Sequence, residues 1–172
     1  MSSRLDVHAA LYLEAELTLP FVPEAIWLYL SMYVLFVLPA FFLTTVQMRR
    51  LGQELIVATL VAGLVFVALP AKLGFARALP EGEPYRSFYA GLFQIDHPFN
   101  LVPSLHVVFT TAIVLAIARN AGAYLRAALY GWLGLVVAST VLTHQHHLLD
   151  VATGLALAVI VAAIIRGRES NA

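Results

Sequence analysis

The chain contains no cysteine, which excludes disulfides, thiolate metal sites and a cysteine nucleophile. It is also short of charge. Asp, Glu, Lys and Arg make up 12% of its 172 residues, where a soluble domain carries about 25%. Ten acidic and ten basic residues cancel to a net charge of zero, so there is no basic field to attract nucleic acid. Residues 1–20 lack the basic start and clean apolar core of a signal peptide, because Asp6, Glu14 and Glu16 interrupt them. Internal repeats and low-complexity runs are missing as well. What the chain has in abundance is apolar matter: 61% hydrophobic residues and a mean hydropathy of +0.86. That excludes intrinsic disorder, and so little charge cannot solvate a globular surface. The length suits one domain, 1–172, whose main solvent is lipid.

The uncharged runs predict how the chain crosses a bilayer. Ala25 to Met48 is 24 residues without a titratable charge, and about 20 helical residues span a hydrocarbon core. Trp27, Tyr29 and Tyr33 read as interfacial anchors at its outer end, and Pro39 as a tolerated kink. Further spans are expected over Leu55–Ala71, over Val107–Ala118 extended back through Pro103, over Ala127–Thr143 and over Val151–Ile165. In the leading segment 1–23, Leu5, Ala9, Tyr12, Leu13 and Leu17 recur at helical spacing, so an interfacial amphipathic helix is expected there. The expected fold class is therefore all-α: an integral membrane bundle of about five transmembrane helices. Arg49, Arg50, Arg119, Arg126, Arg166 and Arg168 crowd one set of span ends. The other set mixes Arg4, Lys72, Arg77 and Arg86 with seven acidic residues over far more chain. The first set belongs inside by the basic-residue asymmetry. The N-terminus, the 71–103 loop and the 143–148 turn then face outward, into the periplasm of a bacterial inner membrane.

The polar residues gather on that outer side. His97 and His106 flank the start of the third span, and His144, His146 and His147 sit between the last two. Ionisable groups at membrane depth are costly and are functional by default. His146 and Asp150 are four apart at a helix start and share a face. A carboxylate there can accept a hydrogen bond from the imidazole Nδ1–H, fix the tautomer and leave Nε2 free as nucleophile or base; the pair equally suits a plain ion pair. Pro103-Ser104-Leu105-His106 reads as a capped helix start, whose free N–H groups bind anions. Ser139 alone would bond back to its own backbone or pack against a neighbour. Lys72, Arg77 and Arg86 suit phosphate neutralisation or snorkelling. The adjacent histidines point apart on a helix and lack a second carboxylate at ligand spacing, so neither a metal nor another cofactor is expected.

Taken together, these residues resemble the type 2 phosphatidic acid phosphatase superfamily. Its signature reads Lys-x6-Arg-Pro, then Pro-Ser-x-His, then Ser-Arg-x5-His-x3-Asp. The chain carries Pro103-Ser104-Leu105-His106, and Ser139-Thr140 followed at matching spacing by His146 and Asp150, with Gly154 four residues on. Lys72 is in register for the first part, but Leu79 stands before Pro80 where the family has Arg, and Arg77 lies two residues early. Thr140 replaces the second family arginine. In its Pro103-Ser104-Leu105-His106 and its Ser139-Thr140 pair the chain is similar to the inositol phosphorylceramide synthase-like branch.

The resemblance implies a membrane lipid phosphatase that works through phosphohistidine, with signature region 72–154 and no cofactor. By family analogy His146 is the nucleophile, Asp150 its orienting carboxylate and His106 the acid and base. Lys72, Ser104, Ser139 and Arg77 would hold the phosphoryl oxygens. The partners implied are a lipid phosphate and the surrounding lipids. A head-group phosphotransferase acting on a phosphodiester is the alternative within enzymes, and a non-catalytic membrane protein or pseudoenzyme the alternative outside them. The topology is checked with an impermeant thiol reagent: Glu83→Cys and Arg168→Cys should label from opposite sides of the membrane. Labelling of both from one side would contradict it.

Overall fold

The computed structural model describes residues 9–95 and 101–170. Among them the architecture is helical: short helices α1 (Ile26–Leu30), α2 (Met32–Leu35) and α3 (Pro39–Phe42), then α4 (Thr45–Ala68), α5 (Tyr85–Ile95), α6 (Leu105–Ala118), α7 (Ala123–Leu142) and α8 (Leu148–Ser170). Three of them, α4, α7 and α8, are long and apolar enough to cross a membrane. Each leaves most of its surface outside the bundle. Ile56, Leu60 and Leu64 on α4 are more than 60% exposed and recur every four residues, a lipid-facing stripe.

Helix α6 is the shortest of the apolar helices beyond α3 and the most enclosed. Val107, Val108, Ile113, Val114 and Ile117 are all buried, and α4, α7 and α8 pack around it. A helix apolar on every side belongs in an interior. Its 14 residues are explained by that position, since it need not meet lipid along its length.

The first expected span is divided differently from the sequence reading. Ala25–Met48 is not one helix: α1, α2 and α3 follow one another with tight turns between, and Leu43 is extended at φ −109°, ψ 141°. Thr44 then caps α4. Its hydroxyl accepts from the Gln47 N–H, and the Gln47 side chain accepts from the Thr44 N–H at 2.8 Å. This capping box starts the helix ten residues before Leu55, and Arg49 and Arg50 fall in its second turn rather than in a connection. The interfacial α-helix expected in 1–23 is likewise replaced, within residues 9–23, by extended chain and a 3₁₀ turn over Glu14–Thr18. Ala9 pairs with Ala71 instead, its N–H donating to Pro70 O and its carbonyl accepting from Lys72 N–H. The rest of that expected helix, 1–8, lies outside the described residues.

Arg50, Arg119, Arg126 and Arg166 cluster at one end of the bundle. Arg50 and Arg119 line one cavity of about 130 Å³ with Glu54, and Glu54 reaches Arg166 Nε at 3.6 Å. Arg126 donates to the carbonyls of Ala118 and Ala121, satisfying the open end of α6. His106, His144, His146 and His147 lie at the other end, where α6 begins and α7 turns into α8. There Ser104 N–H donates to Asp150 O at 3.0 Å, and α8 passes so close that a Cβ on Gly154 would stand 2.8 Å from Ser104 O and 3.1 Å from Val107 Cβ. Gly154→Ala should therefore cost about 1–3 kcal/mol by overpacking. Gly131→Ala in α7, where a Cβ meets nothing within 4 Å, should be neutral or stabilising by up to about 1 kcal/mol. Thermal unfolding in detergent separates the two; equal midpoints would contradict the close approach.

Candidate active site

The site is built on the chain reversal between α7 and α8. Helix α7 ends with His144 N–H donating to Val141 O and Gln145 N–H to Thr140 O, the paired closure of a Schellman motif. His144 holds the left-handed position at φ 55°, a conformation that strains any residue but glycine. Its Nε2 lies 3.1 Å from Leu19 O and its ring stacks on Phe75 at 4.0 Å, which holds the strained turn in place. The reversal delivers His146 N–H to the same Thr140 carbonyl and turns the imidazole toward α6.

There, one line of hydrogen bonds joins three elements. Asp150 Oδ2 lies 3.3 Å from His146 Nδ1, so the proton of a neutral His146 sits on Nδ1 and Nε2 is bare. That Nε2 faces His106 Nδ1 at 3.4 Å, and His106 Nε2 meets the Tyr29 hydroxyl at 2.6 Å. His146 and Asp150 are buried and His106 half-buried. Asp150 Oδ2 also accepts from the His147 N–H at 2.8 Å, so the carboxylate caps α8 as it orients the ring. Ser104 is the N-cap of α6, its hydroxyl accepting from Val107 N–H. The geometry offers a carboxylate-oriented imidazole with its second nitrogen directed at another imidazole, beside a capped helix start.

A second carboxylate–histidine pair stands behind the first. Gly74 N–H donates to His147 Nε2 at 3.0 Å, so the His147 proton is on Nδ1, which donates to Glu16 Oε2 at 3.0 Å. The same Glu16 oxygen accepts from Leu148 N–H. Both ring nitrogens of His147 are occupied, so this pair is a fastening, not a reactive centre. Aromatic rings complete it: Phe75 stacks on His144 at 4.0 Å and on His147 at 4.4 Å, and Tyr12 stacks on His147 at 4.6 Å. A Cβ on Gly74 would stand 2.5 Å from the Tyr12 ring, so only glycine lets the 72–79 segment lie against it.

The remaining residues singled out in the sequence fall in different places. Lys72 is exposed, held by its backbone to Ala9, and its side chain is not fastened to the histidines. Arg77 lies over the Phe93 ring at 4.9 Å and donates to Phe93 O; with His144 and Gln145 it lines a cavity of about 410 Å³. The Ser139 hydroxyl is buried and donates to Val136 O at 2.6 Å, as an ordinary hydroxyl in a membrane helix does. Thr140 does the same with Val137 O. His97 lies outside the described residues. Among the described residues no three His, Asp or Glu side chains form a group able to hold a metal ion.

Tyr29, Glu16 and Gly74 were not singled out for the site by the sequence. Tyr29 read as an interfacial anchor, but it is fully buried against His106, whereas Trp27 and Tyr33 are about half exposed. Its partner, His106 on α6, is 77 residues away, beyond the reach of local spacing. Glu16 had one local signal, shared with Glu14: a carboxylate in a largely apolar stretch.

Burial lowers the proton affinity of His147 and of His144; Asp150 and Glu16 partly offset the effect at His147, and Leu19 O at His144. Both histidines therefore bind a proton less readily folded than unfolded. Their contribution is complete above about pH 6.5 and is lost as the pH falls below it. Thermal stability in detergent should decline between about pH 7 and pH 5, and His147→Gln should flatten that decline. A wild-type midpoint independent of pH over this range would contradict the neutral fastening. No protein-family model, curated protein or solved structure matches the chain, so the case for a function rests on this geometry.

Proposed function

We propose that the chain is a membrane-embedded enzyme that transfers a phosphoryl group from a lipid phosphate through a phosphohistidine on His146. The observation that carries this reading is the line Asp150–His146–His106: a carboxylate fixes one imidazole so that its bare nitrogen faces a second imidazole at 3.4 Å. A proton-relay carrier subunit would spread ionisable groups across the membrane. Here His106, His144, His146 and His147 collect at one end of the bundle, with Arg77 beside His144, and Arg50, Arg119, Arg126 and Arg166 at the other. The reading includes five passes, the histidine end facing outward at an inner membrane, and the arginine end inside.

The phosphoryl group enters between the two rings and parts them. The Nε2 lone pair of His146 forms a bond to phosphorus as the bond from phosphorus to the lipid oxygen breaks. His106, protonated, gives its Nδ1 proton to that oxygen. Asp150 stabilises the positive charge that develops on His146. Water then gives a proton to His106 and attacks phosphorus; the N–P bond breaks and its electron pair returns to His146. Ser104 and the start of α6 face the phosphoryl oxygens, where charge grows in the transition state. Lys72 and Arg77, from the segment that packs beside His144 and His147, serve its outer oxygens, and Ser139 acts by shaping α7.

Head-group transfer from a phosphodiester is the second reading, favoured by one observation. The position of the second family arginine is Thr140, buried and bonded to Val137 O, so no guanidinium grips a dianionic monoester there. A lipid alcohol would then take the place of water.

The two histidines have separable roles, which a nitrophenyl phosphate resolves because its leaving group needs no acid. Labelled phosphate, acid-labile and base-stable, should accumulate on His106→Ala and be absent from His146→Ala. Asp150→Asn should lower turnover by about two to four orders of magnitude, and activity should survive EDTA. Label on His146→Ala, or full activity in either histidine variant, would overturn the assignment.

A further inference from the structure

We infer that Tyr29 is a positioning residue that sets the tautomer of His106, so that the His106 Nδ1 proton points at the reacting centre. The tautomer follows from the structure alone; its effect on turnover rests on the phosphoryl transfer proposed above. A carboxylate only accepts, so Asp150 places the proton of neutral His146 on Nδ1 and leaves Nε2 bare. Two bare nitrogens facing each other at 3.4 Å repel, so the opposing His106 Nδ1 carries a proton. Neutral His106 then has a bare Nε2, and the group in contact with it at 2.6 Å, the Tyr29 hydroxyl, is the donor. Three hydrogen bonds thus run in one direction, from Tyr29 to Asp150.

Tyr29 is built for this place. It is fully buried, and its ring lies 4.8 Å from the His106 ring, so its hydroxyl is withdrawn from water and committed to the imidazole. Two residues on, the Ser31 hydroxyl accepts from Trp132 Nε1 at 2.8 Å, which pins α1 to α7. A hydroxyl also suits both charge states of its partner. It donates to neutral His106, and it accepts from the Nε2–H of protonated His106. Phenylalanine keeps the packing and can do neither.

The test uses full-length protein in detergent with ¹⁵N-labelled histidine, the His106 signals being identified by their loss in His106→Gln. At alkaline pH, wild-type His106 should show a protonated Nδ1 and a bare Nε2, and Tyr29→Phe should convert it to the Nε2–H form or a mixture. Nitrogen spectra that are the same in both proteins would overturn the inference whether or not the chain is an enzyme. Turnover supplies the second arm. Tyr29→Phe should lower the rate with an alkyl phosphate by about fivefold to tenfold, as loss of one hydrogen bond does. It should lower the rate less with nitrophenyl phosphate, and add no further loss in a His106→Ala background. An equal loss with every substrate that persists in that background would make Tyr29 a merely structural residue. Absence of turnover in the wild type would remove the phosphoryl-transfer reading and leave the nitrogen spectra to decide the tautomer.

Discussion

Asp150 holds together what the rest of the site depends on. One carboxylate oxygen meets the His146 ring and the His147 N–H, while the backbone carbonyl of the same residue accepts from Ser104 N–H. The first contact orients a ring, the second starts helix α8, and the third ties α8 to the start of α6. Removing the charge would therefore disturb chemistry and helix capping together. The constraint extends to Gly154, one turn along α8, because the Ser104 bond is short enough only if α8 lies against the Ser104 carbonyl with no side chain between.

Around this centre the chain solves a problem that lipid creates. A reversal between two membrane helices leaves open carbonyls at the end of one and open N–H groups at the start of the next. Here the carbonyls of Val141 and Thr140 are taken by the turn itself, and the N–H groups of His147 and Leu148 by two carboxylates. Glu16 comes from far away in sequence, so the segment before α1 becomes part of the site's wall. The stack of Tyr12, His147, Phe75 and His144 adds the 72–79 segment to the same wall. The result is a buried His146 imidazole set against a half-buried His106, in a preorganised site of the kind where electrostatic stabilisation is strongest.

Much of this was legible in the sequence, and the parts that were not have physical reasons. The helical class, the apolar character and the separation of Arg50, Arg119, Arg126 and Arg166 from His106, His144, His146 and His147 followed from where charges fall. The pairing of His146 with Asp150 and the cap at Ser104 are local and were read from spacing. The break at Leu43 was present in Thr44-x-x-Gln47, but an uncharged run of 24 residues outweighed a capping signal inside it. Tyr29 and Glu16 act across 77 and 131 residues, and no periodicity reports contacts of that range. Ser139 shows the converse: a spacing match whose hydroxyl simply bonds to its own helix.

The central claim is that phosphorus bonds first to His146 and only then to the final acceptor. The stereochemistry at phosphorus tests it most directly. A thiophosphate ester made chiral with oxygen isotopes should be turned over with net retention, because two in-line displacements invert the centre twice. Net inversion would mean that the acceptor attacks the substrate directly, and that His146 is not the nucleophile.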